Sequence, residues 1–158
     1  MTSEFTVRKA SRADSRRITD LINQAFGPAE LFFVEGDRIS EPEVFDHLTS
    51  GAFLLGERNG RLHACVYVEP RGERAYLGLL SVDPSTQQRG TGSSLMNAAE
   101  NYCRKLGCQF MDIKIVNLRT QLPDFYRKRG YVESGTSPFP PEIETKMPCH
   151  FIDMTKRL

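Results

Sequence analysis

The spacing of apolar residues along the first third of the chain predicts a strand followed by a helix. Residues 5–10 alternate between apolar and polar side chains, which is typical of a half-buried strand. An apolar face at helical spacing follows in Ile18, Leu21, Ile22, Ala25 and Phe26. Ser11 and Asp14 have the spacing of a capping box, which predicts the helix start.

Gly27 and Pro28 are expected to end this first helix, since glycine favours a turn and proline has no backbone N–H. Residues 42–48 predict a second, short helix. The segment between them, residues 29–39, contains an apolar run at 31–34 and permits two interpretations. It forms either a wall of a substrate pocket or a loop that faces the core.

Three consecutive strands are predicted next. Residues 52–57 and 62–69 flank Asn59 and Gly60, a pair that tolerates positive φ and favours a tight hairpin. A second turn leads to the apolar run at 76–82, in which Gly78 indicates a bulge or a close backbone approach. These strands should be antiparallel, and the third one leads into a polar turn at residues 83–92.

The second half of the chain alternates helices and strands. The turn is followed by a helix with an apolar face formed by Leu95, Ala99, Tyr102 and Leu106, and then by a strand at 110–116. Because a helix joins this strand to the one at 76–82, the two should be parallel. A helix at 121–129, a strand at 131–134, a proline-rich loop and a strand at 151–154 complete the pattern. The fold class is therefore α/β, a mixed and mostly antiparallel sheet with helices on both faces.

Composition narrows the functional classes. The 158 residues fit one domain, and a net charge of +1 argues against nucleic-acid binding. No apolar run approaches the roughly 20 residues of a membrane helix, and the start of the chain lacks the apolar core of a signal peptide. We therefore expect a cytoplasmic protein. The four cysteines fit no zinc spacing, so no metal site is expected.

The polar turn has the chemistry of an anion site. Gly90 and Gly92 allow close approach of the backbone to a ligand, and the following helix start presents free N–H groups. Arg89 adds a full positive charge. The turn has no Gly-Lys-Ser/Thr and no complete G-x-G-x-x-G, which excludes the common nucleotide-binding loops. A phosphate or pyrophosphate is the expected ligand.

Two motifs connect the chain with a known family. The turn carries the residues Gln87, Gln88, Arg89, Gly90, Thr91 and Gly92. This run, between an apolar strand and a helix, resembles the acetyl-CoA-binding motif of the GNAT superfamily of N-acetyltransferases. The run Phe125-Tyr126-Arg127-Lys128-Arg129-Gly130-Tyr131 is similar to the end of the family's fourth helix. The resemblance is close over residues 75–135 and covers the rest of the chain only in the order of elements.

The resemblance implies a GNAT-like fold whose parallel strand pair forms the cofactor cleft. It implies transfer of an acetyl group from acetyl-CoA to a primary amine, by direct attack in a ternary complex and with no metal. The implied contacts to pantetheine and the acetyl group come from the backbone of Leu80, Ser81 and Val82. The implied pyrophosphate site consists of Gln88, Arg89, Gly90, Thr91, Gly92 and Ser93. Tyr126 is the implied general acid for the departing thiolate.

Some features stay open. Many GNAT proteins carry an asparagine seven positions before the tyrosine, and Arg119 stands there in this chain. The general base could be Glu69, Asp112 or water. A non-catalytic acyl-CoA-binding module, or a partner-binding module that uses residues 31–34, is the alternative function. A monomer or a homodimer fits the sequence, and the acceptor amine is not indicated.

Arg89→Glu and Gly90→Asp should each abolish binding of acetyl-CoA. Both substitutions place a negative charge where a pyrophosphate is expected, and Asp at position 90 also adds a Cβ to the turn. Calorimetric titration of acetyl-CoA into the two variants and the unmodified protein measures the effect. Unchanged binding in both variants would contradict the predicted phosphate site.

Overall fold

The computed structural model describes residues 5–86 and 90–158, in which strands and helices alternate along the chain. In chain order the elements are β1 (Thr6–Lys9), α1 (Ser15–Glu30), α2 (Glu41–Ser50), β2 (Ala52–Arg58), β3 (Arg61–Arg71), β4 (Arg74–Val82), α3 (Thr91–Lys105), β5 (Phe110–Val116), α4 (Leu122–Arg127), β6 (Val132–Pro138) and β7 (His150–Arg157). Single 3₁₀ turns at Arg12–Asp14 and Pro84–Thr86 precede α1 and follow β4. Over the described ranges, no helix is long and apolar enough to cross a membrane.

The described strands form one seven-stranded sheet in the order β1-β2-β3-β4-β5-β7-β6. All neighbours are antiparallel except β4 and β5, which are parallel because α3 crosses between them. In the hairpin between β2 and β3, Asn59 and Gly60 have φ values of 53° and 71°. The predicted mixed sheet, its parallel pair and this hairpin are confirmed.

Alternating side chains along the central strands supply two hydrophobic cores. On β2, Phe53 and Leu55 belong to the core under α1 and α2, whereas Leu54 belongs to the core under α3 and α4. On β3, Tyr67 belongs to the core under α1 and α2, and Val66 belongs to the core under α3 and α4. The alternation follows from the two-residue period of a strand. Helices on both faces therefore cover a sheet whose central strands are buried on both sides.

A bulge in β4 separates it from β5. The two strands pair only from Arg74 to Tyr76, and no pairing continues towards the end of β4. Opposite β3, the register slips between the pairs Cys65↔Ser81 and Tyr67↔Gly78, so β4 contains one extra residue. Leu79 lies in this bulge with a left-handed φ of 55°. The predicted irregularity near Gly78 is confirmed, and it opens a cleft between two parallel strands.

Two helix predictions differ from the structure. Helix α1 continues through Gly27 and Pro28 to Glu30, and Leu31 N–H still donates to the Gly27 carbonyl at 3.0 Å. Pro28 has no backbone N–H to donate to the preceding turn, so the helix lacks one hydrogen bond there, but its last turn keeps its other contacts. In α3, the buried face includes Met96 and Cys103, whereas Leu106 follows the helix and is 55% exposed.

The start of α1 is fixed by a buried carboxylate. Asp14, whose residue is 5% exposed, accepts hydrogen bonds from Arg8, from Arg17 and from the Ser11 N–H. The Arg8 guanidinium holds the pKa of Asp14 well below its ordinary value, and the Ser11 and Arg17 hydrogen bonds act in the same direction. Arg8 also binds Glu57, so this network joins β1, α1 and β2.

Asp14→Asn should lower the free energy of unfolding by about 1–3 kcal/mol at pH 7, because Arg8, Arg17 and Ser11 lose a buried, charged acceptor. The folded pKa of Asp14 is depressed, so its stabilisation is complete above about pH 5 and is lost as the pH falls below about 4. Urea denaturation at several pH values measures both effects. The exposed control Asp20→Asn should change stability by less than about 0.5 kcal/mol. An Asp14→Asn deficit that persists undiminished at pH 3 would contradict this account.

Candidate active site in the β4–β5 cleft

A cavity of about 740 Å³ lies where β4 and β5 diverge. Its walls come from the second halves of both strands, the start of α3, helix α4 and the last turns of α1. The volume is in the range of small-molecule sites. The cleft is therefore the candidate functional site among the residues that the structure describes.

The structure brings most of the predicted cofactor residues to this cavity. Those that line it are Leu80, Val82, Gly90, Thr91, Gly92 and Ser93. Ser81 is not among the lining residues, because its buried hydroxyl donates to the Leu79 carbonyl at 3.0 Å and closes the bulge. Gln88 and Arg89 lie outside the described residues.

The start of α3 faces the cavity with small residues. Gly90 has a left-handed φ of 74°, which other residues rarely adopt, and it accepts the first helical hydrogen bond from Ser94 N–H. A Cβ at Gly92 would stand 3.7 Å from Phe125 and from Val82. The helix N-terminus thus presents backbone N–H groups to the cavity beside Ser93.

Arg129 brings a cation to the same place. Its Nε donates to Ser93 Oγ at 2.9 Å, a second guanidinium nitrogen donates to the same oxygen, and Nη1 donates to the Phe125 carbonyl at 2.5 Å. The guanidinium also lies 3.5 Å from the centre of the Phe125 ring. A basic residue near the end of a helix is ordinarily favoured by the helix dipole. The structure shows that Arg129 reaches across to the start of α3.

Tyr126 lines the cavity from α4 and is 9% exposed. Its ring packs edge-on against Phe125 and Tyr131. Burial, with a smaller contribution from Tyr76, raises the pKa of Tyr126 to about 12, and the positive charges of Arg119 and Arg129 oppose that shift. The phenol is therefore protonated over the whole neutral range and can donate a hydrogen bond or a proton into the cavity.

Neither carboxylate considered as a general base lines the cavity. Glu69 accepts hydrogen bonds from Tyr67 at 2.6 Å and from Arg71 at 2.5 Å, and these bonds lower its pKa. Asp112 accepts two hydrogen bonds of 2.7 Å from Arg74, which lowers its pKa as well. A low pKa and engagement by an arginine both make a carboxylate a weak base.

A different carboxylate, Glu30, reaches the cavity from the last turn of α1. Its side chain is 12% exposed, and Oε2 lies 3.2 Å from Arg119 Nη1 while Oε1 lies 3.8 Å from Arg38 Nε. Burial raises its pKa, although both arginines oppose the shift. Sequence reasoning missed Glu30 because it placed the helix end at Gly27 and Pro28.

The segment at 29–39, for which two interpretations were open, combines both. Phe33 is fully buried, whereas Val34 lines the cavity and forms an isolated bridge to Thr145. Leu31 and Phe32 are 54% and 48% exposed. Within residues 5–86 and 90–158, no group of three or more His, Cys, Asp or Glu side chains is arranged to hold a metal ion.

Comparison with a family model gives a match over most of the chain. The model described as the acetyltransferase (GNAT) family matches residues 16–131. This range contains β2 to β5, α1 from its second residue, α2 to α4, and most of the residues that line the cavity; Phe139, Pro140, Ile143 and Phe151 follow it. A search of curated proteins found no significant match.

Solved structures share the fold over nearly the whole chain. The PaiA N-acetyltransferase from Thermoplasma acidophilum in complex with coenzyme A has a TM-score of 0.80 at 15% identity, covering 98% of this chain and 99% of that one. A GNAT family acetyltransferase from Elizabethkingia anophelis with acetyl-CoA bound has a TM-score of 0.75 at 19% identity, covering 98% of both chains. The ribosomal-protein-alanine N-acetyltransferase from Brucella melitensis has a TM-score of 0.76 at 17% identity, covering 97% of this chain and 99% of that one.

Proposed function

Because the chain belongs to the GNAT acetyltransferase family, we propose that it transfers an acetyl group from acetyl-CoA to a primary amine by direct attack in a ternary complex. The observation that carries the proposal is the cavity between β4 and β5. This cavity connects an anion-binding helix start with a buried, protonated tyrosine. A donor with a pyrophosphate at one end and a thioester at the other matches those two features.

The acetyl donor is proposed to lie along β4. Beyond Tyr76 this strand has no pairing with β5, so its edge towards β5 is open to a ligand in the cleft. We assign the pantetheine and acetyl contacts to the backbone of residues 80–82. The pyrophosphate is assigned to residues 88–93 at the start of α3, with the Arg129 charge beside them.

The proposed reaction needs no covalent enzyme intermediate. The acceptor reacts as the neutral amine, so a bound ammonium group first releases one proton to solvent. The amine nitrogen then attacks the thioester carbon, a C–N bond forms, and the carbonyl oxygen becomes an oxyanion that a backbone N–H of β4 can stabilise. The C–S bond then breaks, and the thiolate takes a proton from Tyr126. The nitrogen loses one proton to a base, and Tyr126 regains its proton from solvent. The products are the N-acetylated amine and the free thiol of coenzyme A.

The end of the cavity beside the last turn of α1 has the charge that suits an amine acceptor. It is bordered by the acceptor wall, which we define as Glu30, Glu35, Asp37, Arg38 and Glu43. Four carboxylates outnumber the arginines nearby, Arg38 and Arg119. An acidic surface attracts a protonated amine and concentrates it at the site. The same surface would repel an acceptor that carries a net negative charge.

Arg129→Gln should raise the Kd for acetyl-CoA about tenfold or more, because a charge beside the pyrophosphate is lost. The Kd of Arg129→Lys should lie between those of the unmodified protein and Arg129→Gln, since lysine keeps the charge without the paired donors. Calorimetric titration measures both variants. The matched control is Arg127→Gln, which removes an exposed arginine that pairs with Asp124 and Glu133, and it should leave the Kd unchanged. Equal affinities in all four proteins would refute the role of Arg129.

Tyr126→Phe should lower turnover about 10²- to 10⁴-fold, the usual contribution of a general acid, with little change in the Kd for acetyl-CoA. Turnover is measured as thiol release from acetyl-CoA with butylamine, spermidine, alanine or trialanine, and mass spectrometry of the amine verifies the transfer. Tyr102→Phe on α3 is the control and should be fully active.

The same assay tests the proposed function as a whole. Thiol release by the unmodified protein with acetylation of an amine supports the enzyme. Tight acetyl-CoA binding without transfer to any of the four amines would favour a non-catalytic acyl-CoA-binding module. Full turnover of Tyr126→Phe would remove Tyr126 from the mechanism and leave the transferase activity standing.

A further inference from the structure

The last turn of α1 carries one carboxylate into the reaction cavity. Glu30 lies beyond Gly27 and Pro28, and its backbone carbonyl accepts hydrogen bonds from Phe33 N–H and Val34 N–H at 3.0 and 2.9 Å. These bonds turn the chain directly after the helix and fix where it ends. The Glu30 side chain thereby lines the same cavity as Tyr126.

Among the described carboxylates that line the cavity, Glu30 is distinguished by its burial. Its side chain is 12% exposed, whereas that of Glu35 is 84% exposed. Asp37 and Glu43 are also exposed, and Glu43 accepts a hydrogen bond from the Ser40 hydroxyl at the start of α2. A solvated carboxylate has the proton affinity of an ordinary surface group. A buried one binds a proton more tightly and is screened less by water.

Two arginines from different segments hold Glu30. Arg119, between β5 and α4, donates to Oε2 from Nη1 at 3.2 Å, and its own side chain is only 15% exposed. Arg38, between α1 and α2, lies 3.8 Å from Oε1 and stacks on Phe26 of α1. These are the charged groups of the described residues that act on Glu30. Both arginines favour the charged form of the carboxylate, whereas burial raises its pKa.

Arg119 also links Glu30 with Tyr126. Its positive charge lowers the pKa of both groups, and all three side chains line the cavity. Many GNAT proteins carry an asparagine at this position, which has neither the charge nor the length to hold a carboxylate on α1. The ion pair with Glu30 therefore depends on the arginine that stands here.

We propose that Glu30 is the general base that takes the proton from the acceptor nitrogen, and that Arg119 is the residue that positions it. This inference rests on the proposed acetyl transfer. An alkylammonium ion holds its proton too tightly to give it to a carboxylate. The nitrogen becomes far more acidic once its lone pair forms the C–N bond to the thioester carbon.

The proton balance follows from this order of events. The N–H bond breaks as the tetrahedral intermediate collapses, the electron pair stays on nitrogen, and the proton goes to a Glu30 carboxylate oxygen. Glu30 then releases the proton to solvent. The thiolate receives its proton separately from Tyr126, so the acid and the base are two groups that line one cavity.

The test compares kcat as a function of pH for the unmodified protein, Glu30→Gln, Glu30→Asp, Arg119→Gln and the control Asp20→Asn, which changes an exposed carboxylate on the same helix. The acceptor is whichever of butylamine, spermidine, alanine and trialanine reacts fastest. It is used at saturation, so that the profile reports groups in the complex. Acetyl-CoA binding and urea denaturation are measured on each protein.

The proposal predicts that Glu30→Gln lowers kcat about 10²- to 10⁴-fold while the Kd for acetyl-CoA stays within about twofold. It also predicts that this variant lacks the acidic limb of the pH profile, which is the fall in kcat at low pH as the base becomes protonated. Glu30→Asp keeps the limb at reduced kcat. Arg119→Gln moves the limb to higher pH, because the carboxylate loses the cation that favours its charged form. Asp20→Asn changes neither quantity.

An acidic limb that persists in Glu30→Gln overturns the assignment of Glu30, whether or not turnover has fallen, and leaves the proposed acetyl transfer intact. An unshifted limb in Arg119→Gln overturns the role of Arg119. Should Glu30→Gln not fold, the limb of Glu30→Asp and the shift in Arg119→Gln decide the matter. An unmodified protein that acetylates none of the four amines overturns the proposed function, and this inference with it.

Discussion

The left-handed backbone at Leu79 is the constraint on which the site depends. For a residue with a Cβ this conformation costs roughly 1–2 kcal/mol, and it persists because β4 is paired with β3 on both sides of the bulge. The extra residue turns the end of β4 away from β5. Without that turn the two parallel strands would pair along their full length, and a packed sheet would replace the cavity.

The divergence of β4 and β5 also determines how charge is distributed along the cavity. One end of the cleft meets the start of α3, where backbone N–H groups and Arg129 create a positive region. The other end meets the last turn of α1, where carboxylates dominate. In the proposed reaction, the pyrophosphate of the donor binds at the positive region and the amine acceptor enters beside the carboxylates. Their reactive groups would then meet beside Tyr126.

Patterns that are local in sequence were predictable. The hairpin at Asn59 and Gly60 depends on two residues that tolerate positive φ. Strand β5 depends on an apolar run in which Asp112 and Lys114 alternate with apolar residues, and the predicted range of residues 110–116 agrees with the structure. Gly90 and Gly92 were expected at the start of a helix, and α3 begins at Thr91. In each case the short stretch of chain contains the whole physical cause.

Features decided by distant contacts were not predictable. Pro28 signals a helix end locally, yet α1 continues because its last turn packs against segments that lie far away in sequence. The error concealed Glu30, whose partner Arg119 is 89 residues further along the chain. Arg129 has the position of an ordinary helix-end charge until the fold brings Ser93 next to it. Strand β6 is longer than its residues suggest because β7 pairs with it along its length.

Residues before and after Pro28 in α1 have different surroundings. Ile18 and Ile22, before it, are fully buried and hold the helix on the sheet, whereas Glu30, after it, lines the cavity. Substitutions at Glu30 therefore disturb the core less than those at Ile18 and Ile22. Under the proposed function, this residue at the acceptor end can change during evolution at little cost in stability.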